Sequence, residues 1–272
     1  MEALDLSNQL KQVNTAFSKQ SNHFDEDDFS NLILQHLRMQ VYSHVDRYLK
    51  PDSLILELNA GTGIDAVRFV RMGHRVHATD LSDGMIEQIK KKIIQLRLED
   101  NLTVQQLSFD KLDQLQGRKF DFIFSNFAGL NCCEDLTAVA KSIPEILISG
   151  GFITLVIMPP VCIWEILSVL KGNPEAFRRF KENGVVADLE GESFRTWYHS
   201  LKSVRNAFGK NFKIVSHSGL AAISPPPYAS RFALNHPILF KILQRADNGV
   251  RNYFPFNRWA DHIIVSLQFV PR

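Results

Sequence analysis

Two carboxylates and two glycines carry the first chemical signal of the sequence. The run Leu54-Ile55-Leu56-Glu57-Leu58 is apolar apart from Glu57, and it leads into Asn59-Ala60-Gly61-Thr62-Gly63-Ile64. Gly61 and Gly63 carry no Cβ, so a ligand can approach the backbone closely there. A helix starting just after the turn offers unpaired N–H groups at its mouth. Asp80 follows seventeen positions after Gly63. A carboxylate at that distance accepts two hydrogen bonds from a ribose diol. The chemistry advertised is non-covalent capture of a nucleotide-like ligand. Gly61-x-Gly63-x-x-Ala66 formally satisfies a dinucleotide fingerprint. Glu57 inside the strand end and the bulky Asn59-Ala60 pair argue against a nicotinamide cofactor.

The elements that must position these residues alternate along the chain. Leu32, Ile33, Leu37, Val41, Val45 and Leu49 recur at helical spacing, with Asp28 or Ser30 as the expected cap and Pro51 as the stop. Strands are expected at Ser53–Leu58, Arg75–Ala78, Leu102–Leu107, Phe120–Ser125 and Phe152–Met158. Helices are expected at Gly63–Met72, at Ser82–Arg97 with Ser82 as N-cap, and at Leu136–Leu147, the last closed by Gly150-Gly151. Such alternation implies a parallel sheet with helices on both faces. Residues 160–210 read as helical, aromatic and charged, with no clear strand. Strand alternation returns at Phe212–His217 and His262–Phe269, on either side of Pro225-Pro226-Pro227 and a helical stretch over 236–253. The expected segments are an N-terminal helical cover (1–50), a ligand-binding core (51–159), a helical lid (160–210) and a C-terminal part completing the sheet (211–272). Ligands of an open parallel sheet bind at the carboxyl ends of its strands. Ser108, Phe109 and Asp110 after the third strand, and Ser125, Asn126 and Phe127 after the fourth, therefore join Glu57, Asn59 and Asp80 at one edge.

Composition narrows the partners. The 272 residues include 31 basic and 29 acidic ones, a net charge of +2, which makes no broad electrostatic case for nucleic acid. Cys132, Cys133 and Cys162 are too few and too badly spaced for a disulfide framework or a zinc site, so no metal is expected. They read as buried thiols of a cytoplasmic protein. The N-terminus lacks the pattern of a secretory signal, and the longest apolar runs fall short of the ~20 residues that span a bilayer. A small-molecule partner is expected, with neither nucleic acid nor membrane, in a monomer or homodimer.

These motifs in combination resemble class I S-adenosylmethionine-dependent methyltransferases. Their first motif, roughly E-x-G-x-G-x-G, is followed by Glu57-Leu58-Asn59-Ala60-Gly61-Thr62-Gly63 except at Asn59. Ala78-Thr79-Asp80-Leu81-Ser82-Asp83-Gly84-Met85 is similar to their second acidic motif, including Ser82 and Met85. Ser149-Gly150-Gly151-Phe152 matches the turn before their fifth strand. The resemblance covers residues 17–158 and, more loosely, the final strand. It implies a Rossmann-like, doubly wound α/β fold: a mostly parallel seven-stranded sheet with an antiparallel last strand, plus the helical lid. It implies S-adenosylmethionine as cofactor, with Asn59, Ala60 and Gly61 against its methionine part. Glu57 would shape the loop and Asp80 would hold the ribose. Leu81, Ser108, Phe109 and Asp110 would flank the adenine, and Ser125, Asn126 and Phe127 would lie near the sulfur. At Asn59, where the family carries glycine, a side chain either crowds the methionine portion or adds a hydrogen bond.

Methyl transfer from a sulfonium is an in-line displacement, so the protein must position a nucleophile and exclude water. His23, Tyr198, His199 and His217 are the candidate bases. The expected cover consists of Phe17–Asp25, the aromatic-rich 160–210 segment (Trp164, Phe177, Phe180, Phe194, Trp197, Tyr198) and Pro225–Tyr228. Its apolar character points to a small organic acceptor. A cofactor-binding protein without catalysis, and an NAD-dependent oxidoreductase, are the competing readings.

Overall fold

The computed structural model describes residues 3–271. Among the described residues, nine strands form two sheets. The larger has the order β3-β2-β1-β4-β5-β9-β8, with β1 Leu54–Leu58, β2 Arg75–Asp80, β3 Leu102–Gln106, β4 Phe120–Ser125, β5 Leu147–Ile157, β8 Phe212–Leu220 and β9 His262–Phe269. The first five strands run parallel, and β9 lies antiparallel between β5 and β8. The order reverses between β1 and β4, the place where doubly wound sheets open a crevice. The architecture is the Rossmann-like α/β fold expected from the sequence.

Buried aliphatic and aromatic side chains make these strands. Ile55, Leu56 and Leu58 of β1 and Phe122, Ile123 and Phe124 of β4 are fully buried. Each such side chain contributes about 1.5–3 kcal/mol by leaving water. One face of the sheet carries α3 (Leu32–Val45), α4 (Ile64–Arg71) and α5 (Asp83–Leu96), which bury Leu37, Phe69 and Ile89. The other face carries α6 (Thr137–Ala140), α7 (Ile143–Ile146) and α9 (Leu201–Phe208). In front of the sheet edge lie α1 (Ala3–Gln20) and α2 (Phe24–Ser30).

Local readings differ at four places. Asn31, rather than Asp28 or Ser30, caps α3, its Oδ1 accepting from the N–H groups of Ile33 and Leu34. Asp28 is buried against Arg38 instead. The helix expected over Leu136–Leu147 is two single turns, α6 and α7. Strand β5 starts at Leu147, ahead of the glycine pair. Phe120 pairs with Leu147 and Phe122 with Phe152, so Ile148–Gly151 bulge out. A Cβ on Gly151 would sit 2.9–3.0 Å from the carbonyl oxygens of Ile148 and Asp121.

The third difference is the lid. Residues 160–210 hold the short helix α8 (Ile163–Leu167) and also a hairpin, β6 Val185–Leu189 with β7 Glu192–Thr196. Glu190 and Gly191 both have positive φ, +55° and +75°, the backbone of a two-residue type I′ turn. Glutamate in place of the usual asparagine or aspartate hides that turn in the sequence. Finally, the region after β8 holds two helices, α10 (Ser230–Asn235) and α11 (Pro237–Val250).

Candidate active site

The carboxyl ends of β1, β2 and β4 enclose one cavity, with about 960 Å³ of atom-free space including its mouth. Strand β1 turns at Asn59, Ala60 and Gly61. The Ala60 N–H bonds the Thr79 carbonyl, and the Gly63 N–H bonds the Ala60 carbonyl, both at 2.9 Å. Gly61 takes φ +56° and Gly63, the N-cap of α4, φ +81°. Asp80 ends β2 in the cavity wall. Its two carboxylate oxygens accept from the N–H groups of Gly61 and Ser82, each at 2.8 Å. Burial raises the Asp80 carboxyl to about 6, partly offset by those backbone donors. The side chain thus fastens the glycine turn to the second strand while remaining in the wall.

Asn59 stands where the resemblance expects glycine, and its backbone adopts φ +45°. Asparagine is among the few residues that tolerate this region. Its side chain is fully engaged across to β4: Oδ1 accepts from Ser125 Oγ at 2.8 Å, and Nδ2 donates to the Asn126 carbonyl at 3.2 Å. A Cβ on Gly129 would lie 2.2 Å from Asn59 Nδ2. A glycine lost at 59 is therefore matched by one present at 129. The side chain stitches two strand ends together.

The structure brings Asn59, Ala60, Gly61, Asp80, Leu81, Met85, Phe109, Asn126 and Phe127 into the cavity wall. Glu57, Gly63, Ser108, Asp110 and Ser125 lie behind it. Glu57 is only 2% exposed, and its Oε2 has no hydrogen-bond partner. Burial, then the neighbouring Asp65, pushes its carboxyl well above the usual range. Ser108 Oγ and Asp110 Oδ1 are also buried and unpartnered.

The four candidate bases lie outside the cavity wall. His23 Nε2 lies 3.1 Å from Glu190 Oε1, joining the start of α2 to the hairpin turn. His199 Nε2 contacts the Cys133 carbonyl at 2.9 Å, and burial lowers its pKa. Tyr198 stacks under the Arg179 guanidinium, and His217 meets Asn257. Cys132 is the thiol in the wall, and burial pushes it up to about 12.

A buried ionic network was missed by sequence reasoning. Arg38 on α3 bonds Asp28 and Asp65, and Asp65 also accepts from Tyr42 Oη at 2.5 Å and Asn126 Nδ2 at 2.8 Å. The Arg38 guanidinium lies 4.8 Å from the Phe127 ring centroid, and its Nε is buried without a partner. The signal was an arginine beside Leu37 and Val41 on the apolar stripe of a helix. Two carboxylates to one guanidinium leave this end of the cavity favourable to positive charge.

The cover comes from α1 and α2. Leu10, Val13 and Phe17 of α1 line the cavity, and the Phe24 ring lies 3.7 Å from where a Gly61 Cβ would be. The α1 helix is tied to α5: the N–H of Asp83 bonds Asn14 Oδ1 and that of Gly84 bonds Ser18 Oγ. A Cβ on Gly84 would stand 2.7 Å from Ser18 Cα, so glycine there admits the helix. The α1 helix also packs on the hairpin, where Gln9 bonds both the N–H and the carbonyl of Arg195. Farther out, Cys162, Glu165 and Asp261 have the closeness of a metal-ligand set among the described residues. Arg179 occupies that cluster, with 2.8 Å contacts to both carboxylates, and pins the lid to β9.

Residues 55–151 match the family model of a methyltransferase domain. No curated protein matches in sequence. Among solved structures, the chain is similar to an S-adenosylmethionine-dependent methyltransferase from Methanosarcina mazei. The identity is 14% over 85% of this chain and 99% of that one, with a TM-score of 0.58. It is also similar to geranyl diphosphate C-methyltransferase from Streptomyces coelicolor A3(2), solved with Mg²⁺, geranyl diphosphate and S-adenosyl-L-homocysteine. There the identity is 13% over 87% and 81% of the two chains, with a TM-score of 0.57. The core of this chain, residues 55–151, thus matches a methyltransferase domain, and its fold is that of the solved methyltransferases, consistent with the class I S-adenosylmethionine-dependent type.

Proposed function

We propose that the cavity binds S-adenosylmethionine and that the protein transfers its methyl group to a small organic acceptor. The observation carrying this reading is Asp80: a carboxylate in the wall at the tip of β2, held by the glycine turn of β1. Asp80 would accept from the ribose hydroxyls, and Leu81 and Phe109 would enclose the adenine. The Asn59–Gly61 backbone would meet the methionine portion, and Asn126 and Phe127 would stand beside the sulfur. The unpartnered Nε of Arg38, a wall residue, gives a polar ligand a buried group still to satisfy. When bound, S-adenosylmethionine supplies an electrophilic methyl group on a positively charged sulfur.

The chain's own residues then do three things. The excess of carboxylates around Arg38 favours that positive charge. Phe17, Phe24 and Phe127 exclude water from the reacting end. Asn59, bonded to Ser125 and Asn126, holds the two strand ends at fixed separation. The titratable groups in the wall are Arg38, Asp65, Asp80 and Cys132. Asp65 is committed to three donors, and Cys132 is protonated. This favours an acceptor nucleophilic without a protein base, such as a carboxylate, a thiolate or a neutral amine.

Titration calorimetry with S-adenosylmethionine and with NAD tests the cofactor. Binding of NAD alone would refute the reading. Turnover on a panel of carboxylates, thiols, amines and phenols tests the acceptor. Cofactor binding with no turnover on any of them would favour a non-catalytic binding protein.

A further inference from the structure

The surface formed by α10, α11 and the loop after them combines apolar side chains and positive charge in a way the cavity does not explain. Helix α11 turns Phe240 and Asp247 inward. Its outward positions one turn apart are Ile238, 76% exposed, and Ile242, 54% exposed, with Leu234 of α10 also 61% exposed. An amphipathic helix on a soluble surface normally carries polar residues there. Here the outermost side chains are branched aliphatics.

The solvent-facing charges within this stretch have one sign. Residues 229–258 contain five basic side chains and a single acid. The acid, Asp247, is buried and accepts from the N–H groups of Ala222, Ile223 and Ser224. Arg251 is largely withdrawn and bonds Ser218 Oγ. The charges left facing solvent are Arg231, Lys241, Arg245 and Arg258. After the helix, Tyr253, Phe254 and Trp259 are exposed. The Trp259 ring stands 5.7 Å from that of Phe254, with Arg258 on the same ring at 5.9 Å.

We infer that this face docks on an anionic lipid surface. Outward aliphatics, interfacial tyrosine and tryptophan, and a stretch (229–258) whose solvent-facing charges are all cationic are the make-up of segments that lie in the headgroup plane. A two-fold contact between copies of this chain would set these cations against one another, because such an interface meets itself. A duplex nucleic acid offers nothing to the isoleucines. No helix among the described residues is long and apolar enough to cross a membrane, so the association is peripheral. The inference is independent of the methyl-transfer reading.

Vesicle sedimentation of the full chain tests it, with vesicles of phosphatidylcholine alone or mixed with phosphatidylglycerol. The expected result is binding to the anionic vesicles, weakened by salt and nearly absent on neutral ones. Each neutralised cation should cost about fivefold in partitioning, so the triple variant Arg231→Gln/Lys241→Gln/Arg245→Gln should lose on the order of a hundredfold. Ile238→Ser/Ile242→Ser should lose binding by more than about tenfold. The substituted side chains are all solvent-facing, so the melting temperature should stay that of the parent. The inference is overturned if the parent protein remains in the supernatant with anionic vesicles, or if the variants bind as it does. It is equally overturned if the isoleucine variant instead dissolves a dimer seen by analytical ultracentrifugation while vesicle binding is absent.

Discussion

Replacing Gly129 by alanine should be costly in this protein and nearly free once Asn59 is glycine. The added Cβ would lie 2.2 and 2.3 Å from Asn59 Nδ2 and Cγ, closer than non-bonded atoms approach. Gly129 has no left-handed backbone to defend, so the collision with Asn59 is the cost. The asparagine must swing away and release both of its hydrogen bonds, to Ser125 Oγ and to the Asn126 carbonyl. Each bond contributes about 0.5–1.5 kcal/mol, and a fully buried Ser125 hydroxyl would be left unpaired, so the loss is about 2–3 kcal/mol. Asn59→Gly removes the same two bonds but recovers backbone freedom at φ +45°, so its own loss should be about 1–2 kcal/mol. Because both single changes break one shared set of bonds, the double variant should be about as stable as Asn59→Gly alone. The coupling should be about 2 kcal/mol. Chemical denaturation of the four proteins measures it. Equal cost of Gly129→Ala in both backgrounds, within about 0.5 kcal/mol, would refute the pairing.

Other outcomes follow from the same geometry. Asp80→Ala should abolish S-adenosylmethionine binding by calorimetry, and unchanged affinity would remove Asp80 from the ribose role. Because the Asp80 carboxyl titrates near 6, affinity should be flat above that pH and fall about tenfold per unit below it. Stability has the opposite sign at this residue. A raised carboxyl opposes folding when charged, so that penalty eases as pH drops from 6 toward its unfolded value. Arg38→Met should cost about 3–5 kcal/mol by stranding Asp28 and Asp65, measured by denaturant midpoint. Adding Asp28→Asn and Asp65→Asn should recover part of that loss. Asp247→Ala should loosen residues 222–224 and lower the melting temperature, since four hydrogen bonds converge on that carboxylate.

The sheet and the ligand edge were legible because they depend on local signals. Apolar runs such as Leu54–Leu56 and Phe122–Phe124, bounded by turn residues, read as buried strands, and the residues at their ends then meet at one edge by topology. Ser82 was readable as a cap because its bond to the Met85 N–H spans three residues. What stayed hidden depends on partners distant in sequence. Arg38 acquires meaning only when Asp28, Asp65 and Phe127 surround it. Val185, Ala187 and Leu189 alternate as a strand should, yet Asp188, Glu190 and Glu192 among them resemble a solvated helix. Gly84 looks like an ordinary residue of a helical first turn until α1 passes 2.7 Å from its missing Cβ. The candidate bases failed for the same reason, since His23 and His199 are held by Glu190 and the Cys133 carbonyl, on segments far along the chain.

The Gln9 clamp on Arg195 joins residues 186 positions apart. The first helix leaves the ribosome long before the strand that receives it. During synthesis α1 has no hairpin to lean on. A nascent chain ending before residue 195 would hold α1 through Asn14 and Ser18 on α5 but without the Gln9 clamp. The order of translation thus makes the hairpin clamp on the cover, rather than the cavity wall, the late arrival.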